Sequence, residues 1–384
     1  MKVIFKIADN IVSPLGFTTA ENFSAVMSGR SAIRRYEDKW DIPDPFMASL
    51  IDRDALDHEC GSLPLMQHYT CFEKMILLSV SKALENSGVQ PDSDRVLFIV
   101  STTKGNVDLL YENKFNLPSD RILCGVTARV ICDYFHNPNP PIVVSNACIS
   151  GVCAQIAAMR NLFGGRYDYV IVTGADCQSR FIVTGFQSLK ALSPDLCRPF
   201  DKDRKGLNLG DAAATIIYSV KDEYEMEPDD WVAVDGSIRN DANHISGPSR
   251  SGEGSYRTLV NVLHDTNPDD IAFVNVHGTA TVYNDEMESI ALYRAGLQAV
   301  PVNGLKGYYG HTMGAAGVIE TILSMCAVDN NVILATRGYE TCGVSYPLSL
   351  SNEIRHTDKR SFIKLLSGFG GCNAAILFKK GGAL

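Results

Sequence analysis

The chain has 384 residues, 45% of them hydrophobic and 21% charged, with a formal net charge of −9. That balance excludes a disordered or collagen-like chain and suits one large domain or two fused similar ones. The acidic excess argues against a broad nucleic-acid-binding face, which needs clustered Lys and Arg.

The first segment, MKVIFKIADNIVSPLG, is too short and too interrupted in its apolar stretch to be a secretory h-region. No run of 18 apolar residues follows, so no membrane span is expected and the cytoplasm is the expected compartment. A helix is predicted over 71–87 and a buried strand over 96–101 (VLFIVS). A second strand at 141–145 (PIVVS) leads into a helix over 151–162, and a third strand follows at 169–173 (YVIVT). Strands at 212–219 and 231–235 are expected to pair antiparallel and end the first half. The second half repeats the rhythm, with a strand at 271–276, a helix at 285–295, a short strand at 300–303 and a helix at 315–328. A hairpin of 362–366 with 374–379 closes the chain, with Gly368, Gly370 and Gly371 at its turn. Alternating strands and helices indicate an α/β fold with layered sheets. No Pro-rich or Gly/Ser-rich linker interrupts it, so two halves, 1–235 and 236–384, are expected in one compact unit.

An internal duplication is visible at two turns. Cys148-Ile149-Ser150-Gly151 and His311-Thr312-Met313-Gly314 each follow a strand and enter an apolar helix. Cys148 therefore stands at a strand-to-helix elbow, where unpaired N–H groups and the helix dipole favour a thiolate and a lowered pKa. An isolated cysteine at such a place is more often a packed thiol, and Cys153, farther into the helix, fits that description better. The remaining cysteines of the 11, such as Cys124, Cys132, Cys177 and Cys326, lie in apolar segments without C-x2-C spacing. Reduced, buried thiols are expected, with no disulfide framework and no metal site. His277 ends a buried strand, at the sheet edge where α/β proteins place their chemistry, or else simply bonds a backbone carbonyl there. His311 lies among Gly310, Gly314 and Gly317, five residues after Lys306. Lys306 alone reads as a surface lysine and Glu288 as a solvated helix charge, unless the two are buried partners. Phe369, between Gly368 and Gly370, is either a residue free to swing or part of a plain turn.

The segments NACISG (146–151), VHGTAT (276–281), LKGYYGHTMGAAG (305–317) and GFGGCNAA (368–375) resemble, in order, the four signature segments of β-ketoacyl-acyl-carrier-protein synthases. RPFDKDRKGLNLGDAAA (198–214) and NIVSPLG (10–16) are similar to two further segments of the elongating type. The resemblance runs essentially end to end. It implies a thiolase-like, five-layer αβαβα sandwich of two similar halves and a decarboxylative condensation without a cofactor. It implies an acyl carrier protein as partner, and a homodimer or a heterodimer with a related subunit. By position, Cys148 matches the acylated nucleophile, and His277 and His311 match the pair that binds the malonyl thioester and promotes loss of CO2. Lys306 matches the lysine that supports the histidines and Glu288 its acidic partner. Phe369 matches a gating residue whose N–H joins that of Cys148 in an oxyanion hole.

The chain also departs from the housekeeping pattern. The stretch from Lys104 to Pro141 is shorter, SPDLC (193–197) is trimmed, and Pro64-Leu65-Met66 stand where basic carrier-docking residues are usual. A specialised synthase, for a polyene or other secondary lipid, is expected from these differences. The competing readings are a chain-length-factor-like partner subunit, a thiolase or initiating synthase, and a scaffold. An initiating enzyme would need Asn in place of the second histidine, and a partner subunit typically lacks the cysteine.

Overall fold

A computed structural model describes residues 1–85, 87–111, 117–264 and 266–383. Ten strands are hydrogen-bonded side by side. In chain order they are β1 (Lys2–Val12), β2 (Val96–Ser101), β3 (Ile142–Val144), β4 (Tyr169–Asp176), β5 (Ala212–Asp222), β6 (Trp231–Asn240), β7 (Phe273–Asn275), β8 (Val302–Asn303), β9 (Ser361–Gly368) and β10 (Cys372–Lys380). The helices that matter here are α1 (Cys71–Glu85), α2 (Cys124–Tyr134), α3 (Ser150–Phe163), α4 (Arg180–Ser188), α5 (Glu253–Leu263), α6 (Val282–Arg294) and α7 (Ala316–Asp329).

Strand order shows how the halves are related. Across the sheet it runs β8-β7-β9-β10-β6-β1-β5-β4-β2-β3. Counted outward from the central β1–β6 junction, each half places its first, fifth, fourth, second and third strand in that order. Directions agree too: β1–β5 and β5–β4 are antiparallel, β4–β2 and β2–β3 parallel. In the second half, β6–β10 and β10–β9 are antiparallel, and β9–β7 and β7–β8 parallel. The halves meet where Ile4 pairs with Ala233 and Phe5 with Val232.

One expected pairing is corrected by this order. The strands predicted at 212–219 and 231–235 are not neighbours, because β1 lies between them and pairs with both. Their adjacency in sequence suggested a hairpin. An N-terminal strand, invisible to local reasoning, supplies a partner for each edge.

The layers follow from burial. Helices α3 and α7 are apolar nearly all round, and each packs on strands of both halves as well as on the other. They form the central layer. Helix α1 covers β1, β5 and β4 on one outer side, and α5 covers β6, β10 and β9 on the other. The result is the αβαβα sandwich. Glycines let the central helices meet at their first turns, since a Cβ on Gly151 would stand 3.0 Å from the Gly314 carbonyl oxygen. The two C/H-x-x-G turns thus face each other at the molecule's centre.

Candidate active site

Cys148 sits in a tight elbow between β3 and α3. Ala147 before it takes φ 44°, a left-handed conformation that costs a non-glycine residue roughly 1–2 kcal/mol. Hydrogen bonds hold the turn, with the Asn146 N–H donating to Ser150 Oγ (2.8 Å) and that hydroxyl donating to the Ala147 carbonyl (2.6 Å). The β9–β10 turn closes over it so tightly that a Cβ on Gly368 would lie 3.1 Å from the Cys148 nitrogen. A side chain there would have to push Cys148 or Cys372 aside by a few tenths of an ångström.

Burial pushes the Cys148 thiol above its ordinary pKa; the charges of Lys104 and Lys306 and the Phe369 backbone N–H oppose the shift without overcoming it. The elbow was expected to lower the pKa, and desolvation reverses the sign. Cys148 is therefore a neutral thiol that becomes a thiolate only with help from its surroundings.

Both histidines share the pocket with it. His277 lies two residues past the end of β7, and His311 follows a one-turn helix (Lys306–Tyr309) after β8, preceded by Gly310 at φ 67°. One ligating atom from each of Cys148, His277 and His311 lies within 4.8 Å of the other two. The imidazole rings stand 5.0 Å apart, centroid to centroid, at 80°. The Met313 N–H donates to His311 Nδ1 (3.2 Å), so the neutral ring carries its proton on Nε2. Among the described residues that Nε2 is buried without a partner, as is Nδ1 of His277. Burial, reinforced by the charge of Lys306, holds both rings well below the usual histidine pKa. Near neutrality they are uncharged donors and acceptors, and the Nε2–H of His311 is free to donate to a ligand.

The supporting charges differ from expectation in one pairing. Glu288 is buried, but it does not bond Lys306. Its carboxylate accepts the backbone N–H groups of His277 (2.7 Å) and Gly278 (2.8 Å) and the side-chain amide of Asn284 (2.8 Å), so it fixes the turn that aims His277. Burial and the neighbouring Asp285 push its pKa up to about 7. Lys306 instead donates to Glu320 on α7 (2.8 Å), whose other oxygen accepts from Lys364 on β9. Lys364 also reaches Asn275 Oδ1, two residues before His277. Burial drives Lys364 down to about 8, while Glu320, against the effect of its own burial, is held below the usual carboxylate range by the two lysines.

Glu320 and Lys364 are the functional neighbours that sequence reasoning missed. Both carried a signal. Glu320 is a charge inside the apolar helix AGVIETILS, and Lys364 interrupts the buried strand SFIKLLS. A charge at a core position needs a buried partner of opposite sign.

A cleft of about 450 Å³ leads to these groups, with Cys148, His277, His311, Thr279, Phe186, Phe369 and Lys190 in its walls. Phe369 is partly exposed and stacks on Phe186 at 5.9 Å. The Cys–His–His trio is also the set of side chains spaced to ligate a metal among the described residues, but Lys104, Lys306 and Lys364 surround it with positive charge that opposes a cation. Chemically, the pocket offers a nucleophile, a neutral N–H donor for a carbonyl oxygen, and a cleft wide enough for a thioester arm.

Comparison with known proteins agrees with this geometry. The chain matches the family models described as beta-ketoacyl synthase, N-terminal domain, over residues 3–223 and beta-ketoacyl synthase, C-terminal domain, over residues 232–340. A putative polyketide beta-ketoacyl synthase 1 of Streptomyces halstedii is 30% identical, the alignment covering 96% of this chain and 95% of that protein. A 3-oxoacyl-[acyl-carrier-protein] synthase 2 of Vibrio harveyi is 26% identical, with 96% of each chain covered. Among solved structures, a ketosynthase of Xenorhabdus doucetiae in complex with its chain length factor superposes with a TM-score of 0.85 at 23% identity, over 99% of this chain and 98% of that one.

Proposed function

Since this chain belongs to the β-ketoacyl synthase family, a condensing acyltransferase of fatty-acid and polyketide synthesis, we propose that Cys148 carries the acyl group and that His277 and His311 generate the attacking carbanion. In the first half-reaction the Cys148 sulfur replaces the carrier thiol on the acyl carbonyl, and the carrier leaves as a free thiol. In the second, malonyl-carrier loses CO2, the resulting enolate carbon attacks the acyl-cysteine, and the 3-oxoacyl-carrier departs as Cys148 regains its sulfur electrons. The Nε2–H of His311, with His277 beside it, donates to the malonyl thioester oxygen as negative charge collects there. Such donors contribute about 3 kcal/mol each. The N–H groups of Phe369 and Cys148 receive the oxyanion of the other step.

The observation that carries this reading is the clustering of one ligating atom from each of Cys148, His277 and His311 within 4.8 Å, with the Nε2 of His311 buried and unpartnered among the described residues. Burial, reinforced by the charge of Lys306 tied to Glu320, keeps the rings neutral, and Glu288 orients His277 through its backbone. Incubation with acyl-carrier followed by mass spectrometry should place the acyl group on Cys148, and its appearance on another residue would overturn the assignment.

Partners follow from the same reading. The substrate arm belongs to an acyl carrier protein, and the chain works as a homodimer or beside a chain-length-factor-like subunit. The exposed Pro64 and Leu65 put no positive charge where a carrier would dock, in keeping with a specialised polyene or secondary-lipid route. No helix among the described residues is long and apolar enough to cross a membrane, and we place the reaction in the cytoplasm. We take the two halves, 1–235 and 236–384, as one duplicated unit, although the 235/236 division falls inside β6, the first strand of the second half.

A further inference from the structure

A second cavity, of about 310 Å³, shares no wall residue with the cleft at Cys148; Arg53, Thr70, Cys71, Asp108 and Gln178 are among those that line it. All 11 cysteines are free, and one pair of sulfurs is in hydrogen-bond contact among the described residues: the Cys177 thiol donates to the Cys71 sulfur at 3.8 Å. Cys71, the first residue of α1, is half-buried in the cavity wall. Cys177 directly follows β4 and lies outside that wall. A small reactant in the cavity therefore meets the Cys71 sulfur first. The guanidinium of Arg53, in the same wall, is near enough to act on both sulfurs and to steady a negative charge released beside them. The hydrogen bond to Cys71, burial, and the charges of Asp211 and Asp108 hold Cys177 as a thiol, well above its ordinary pKa.

The residues on either side of Cys177 are tethers of the His311 elbow. Asp176 accepts the N–H of Gly314 (2.7 Å), three residues after His311, and the hydroxyls of Thr102 (2.9 Å) and Thr103 (2.8 Å). The Gln178 side-chain amide donates to the Gly210 carbonyl (2.7 Å), and the Gly210 N–H donates to the His311 carbonyl (3.1 Å). A covalent bond between the two sulfurs draws them from 3.8 Å to about 2 Å, and a close-packed interior passes such a shift to its neighbours. We propose that Cys71 and Cys177 are a modification site for hydroperoxides, closing to a disulfide that displaces the 176–178 segment and slows the malonyl half-reaction at His311. The Cys71 sulfur attacks one peroxide oxygen, forming an S–O bond as the O–O bond breaks; the departing hydroxide takes the Cys71 proton and leaves as water. The Cys177 sulfur then attacks the Cys71 sulfur, the S–S bond forms, and the S–O bond breaks with release of a second water that carries the Cys177 proton. The peroxide is reduced and the two thiols are oxidised. The slowing rests on the reading of His311 given above.

The test treats reduced, full-length protein with hydrogen peroxide, blocks remaining thiols with iodoacetamide and maps peptides without reductant. A Cys71–Cys177 cross-linked peptide should appear, with an intact mass about 2 Da lower before blocking, and dithiothreitol should remove it. CO2 release from malonyl-carrier should fall about tenfold or more on oxidation, since displacing a catalytic group by about 1 Å can cost 10²-fold, and should recover with dithiothreitol. Cys71→Ser and Cys177→Ser cannot form the bond and should release CO2 at the same rate before and after peroxide. The proposal is overturned by a pair that stays reduced, by a cross-linked pair with unchanged CO2 release, or by an equal loss in both serine variants, which would put the damage at another residue such as Cys148. If the reduced wild type releases no CO2 from malonyl-carrier, the malonyl reading itself falls and the proposed slowing with it, whatever the peptide map shows.

Discussion

The elbow at Cys148 and the elbow at His311 are one structural device used twice. Each follows the third strand of its half, each has a left-handed residue just before the reactive side chain, Ala147 or Gly310, and each has a glycine three residues after it, Gly151 or Gly314. The environments differ. Both line the cleft and both feel Lys104 and Lys306, but His311 also feels Lys364, which shares Glu320 with Lys306 in a buried Lys306–Glu320–Lys364 cluster. Duplicated geometry supplied two positions facing each other, and substitution around one of them supplied the electrostatics. On the proposed reading, the first half presents the nucleophile, and burial beside the second half's lysines keeps the histidines uncharged.

The sharpest way to break that division of labour is Cys148→Ala. Condensation should disappear, and no acyl mass should be trapped on the protein; full elongation activity in this variant would refute the nucleophile. The charged half is tested next by Glu320→Gln, which leaves Lys306 and Lys364 buried without their shared anion. Breaking such a cluster costs about 3–5 kcal/mol, read as a lowered midpoint in urea unfolding. Cys148→Ala should lose no comparable stability.

His311→Ala separates the two half-reactions. Malonyl-carrier decarboxylation should fall by about 10²–10³, the usual cost of one oxyanion donor, while transfer of acyl groups to Cys148 persists. Unchanged CO2 release would contradict the role given to the second elbow. The elbows themselves are compared by two backbone substitutions. Gly310→Ala puts a Cβ 2.5 Å from the Leu209 carbonyl oxygen in a left-handed conformation and should destabilise by about 2 kcal/mol. Ala147→Gly relieves φ strain but loosens the unfolded chain, so the two effects should cancel to within about 0.5 kcal/mol. Equal effects at both sites would mean that the close approach of Leu209 to Gly310 carries no weight.

A smaller, pH-dependent effect belongs to Glu288. Its folded pKa, near 7, is above that of an unfolded glutamate, so its contribution is fully present below about pH 4.5 and is lost as pH rises toward 7. One such group contributes a slope of at most about 1.4 kcal/mol per pH unit. Glu288→Gln should flatten the fall in unfolding free energy between those pH values, and an unchanged slope would show that the carboxyl ionises freely in the folded state.

Much of the site was legible in the sequence. Cys148, His277 and His311 stand at ends of strongly patterned strands, where a polar side chain has few structural uses, and the motif order supplied the family. Lys306 was found as a residue but given the wrong partner. Glu288 and Glu320 both lie on helices after a histidine turn, and sequence distance does not say which carboxylate reaches the ammonium and which turns back to cap backbone N–H groups. Glu320 and Lys364 were visible as charges in apolar segments, yet only their mutual placement gave them meaning.

By itself, the sequence determined nine of the ten strands and four of the seven helices named above, the duplicated C/H-x-x-G turns and the residues able to do thiol and imidazole chemistry, because periodicity and side-chain type are local properties. Tertiary structure decided the insertion of β1 between β5 and β6, the pairing of Lys306 with Glu320, and the sign of the Cys148 shift. Each of these depends on what is packed across the core: a strand edge accepts whichever partner reaches it, a buried charge takes the nearest counter-ion, and desolvation of a thiol is set by neighbours far away along the chain.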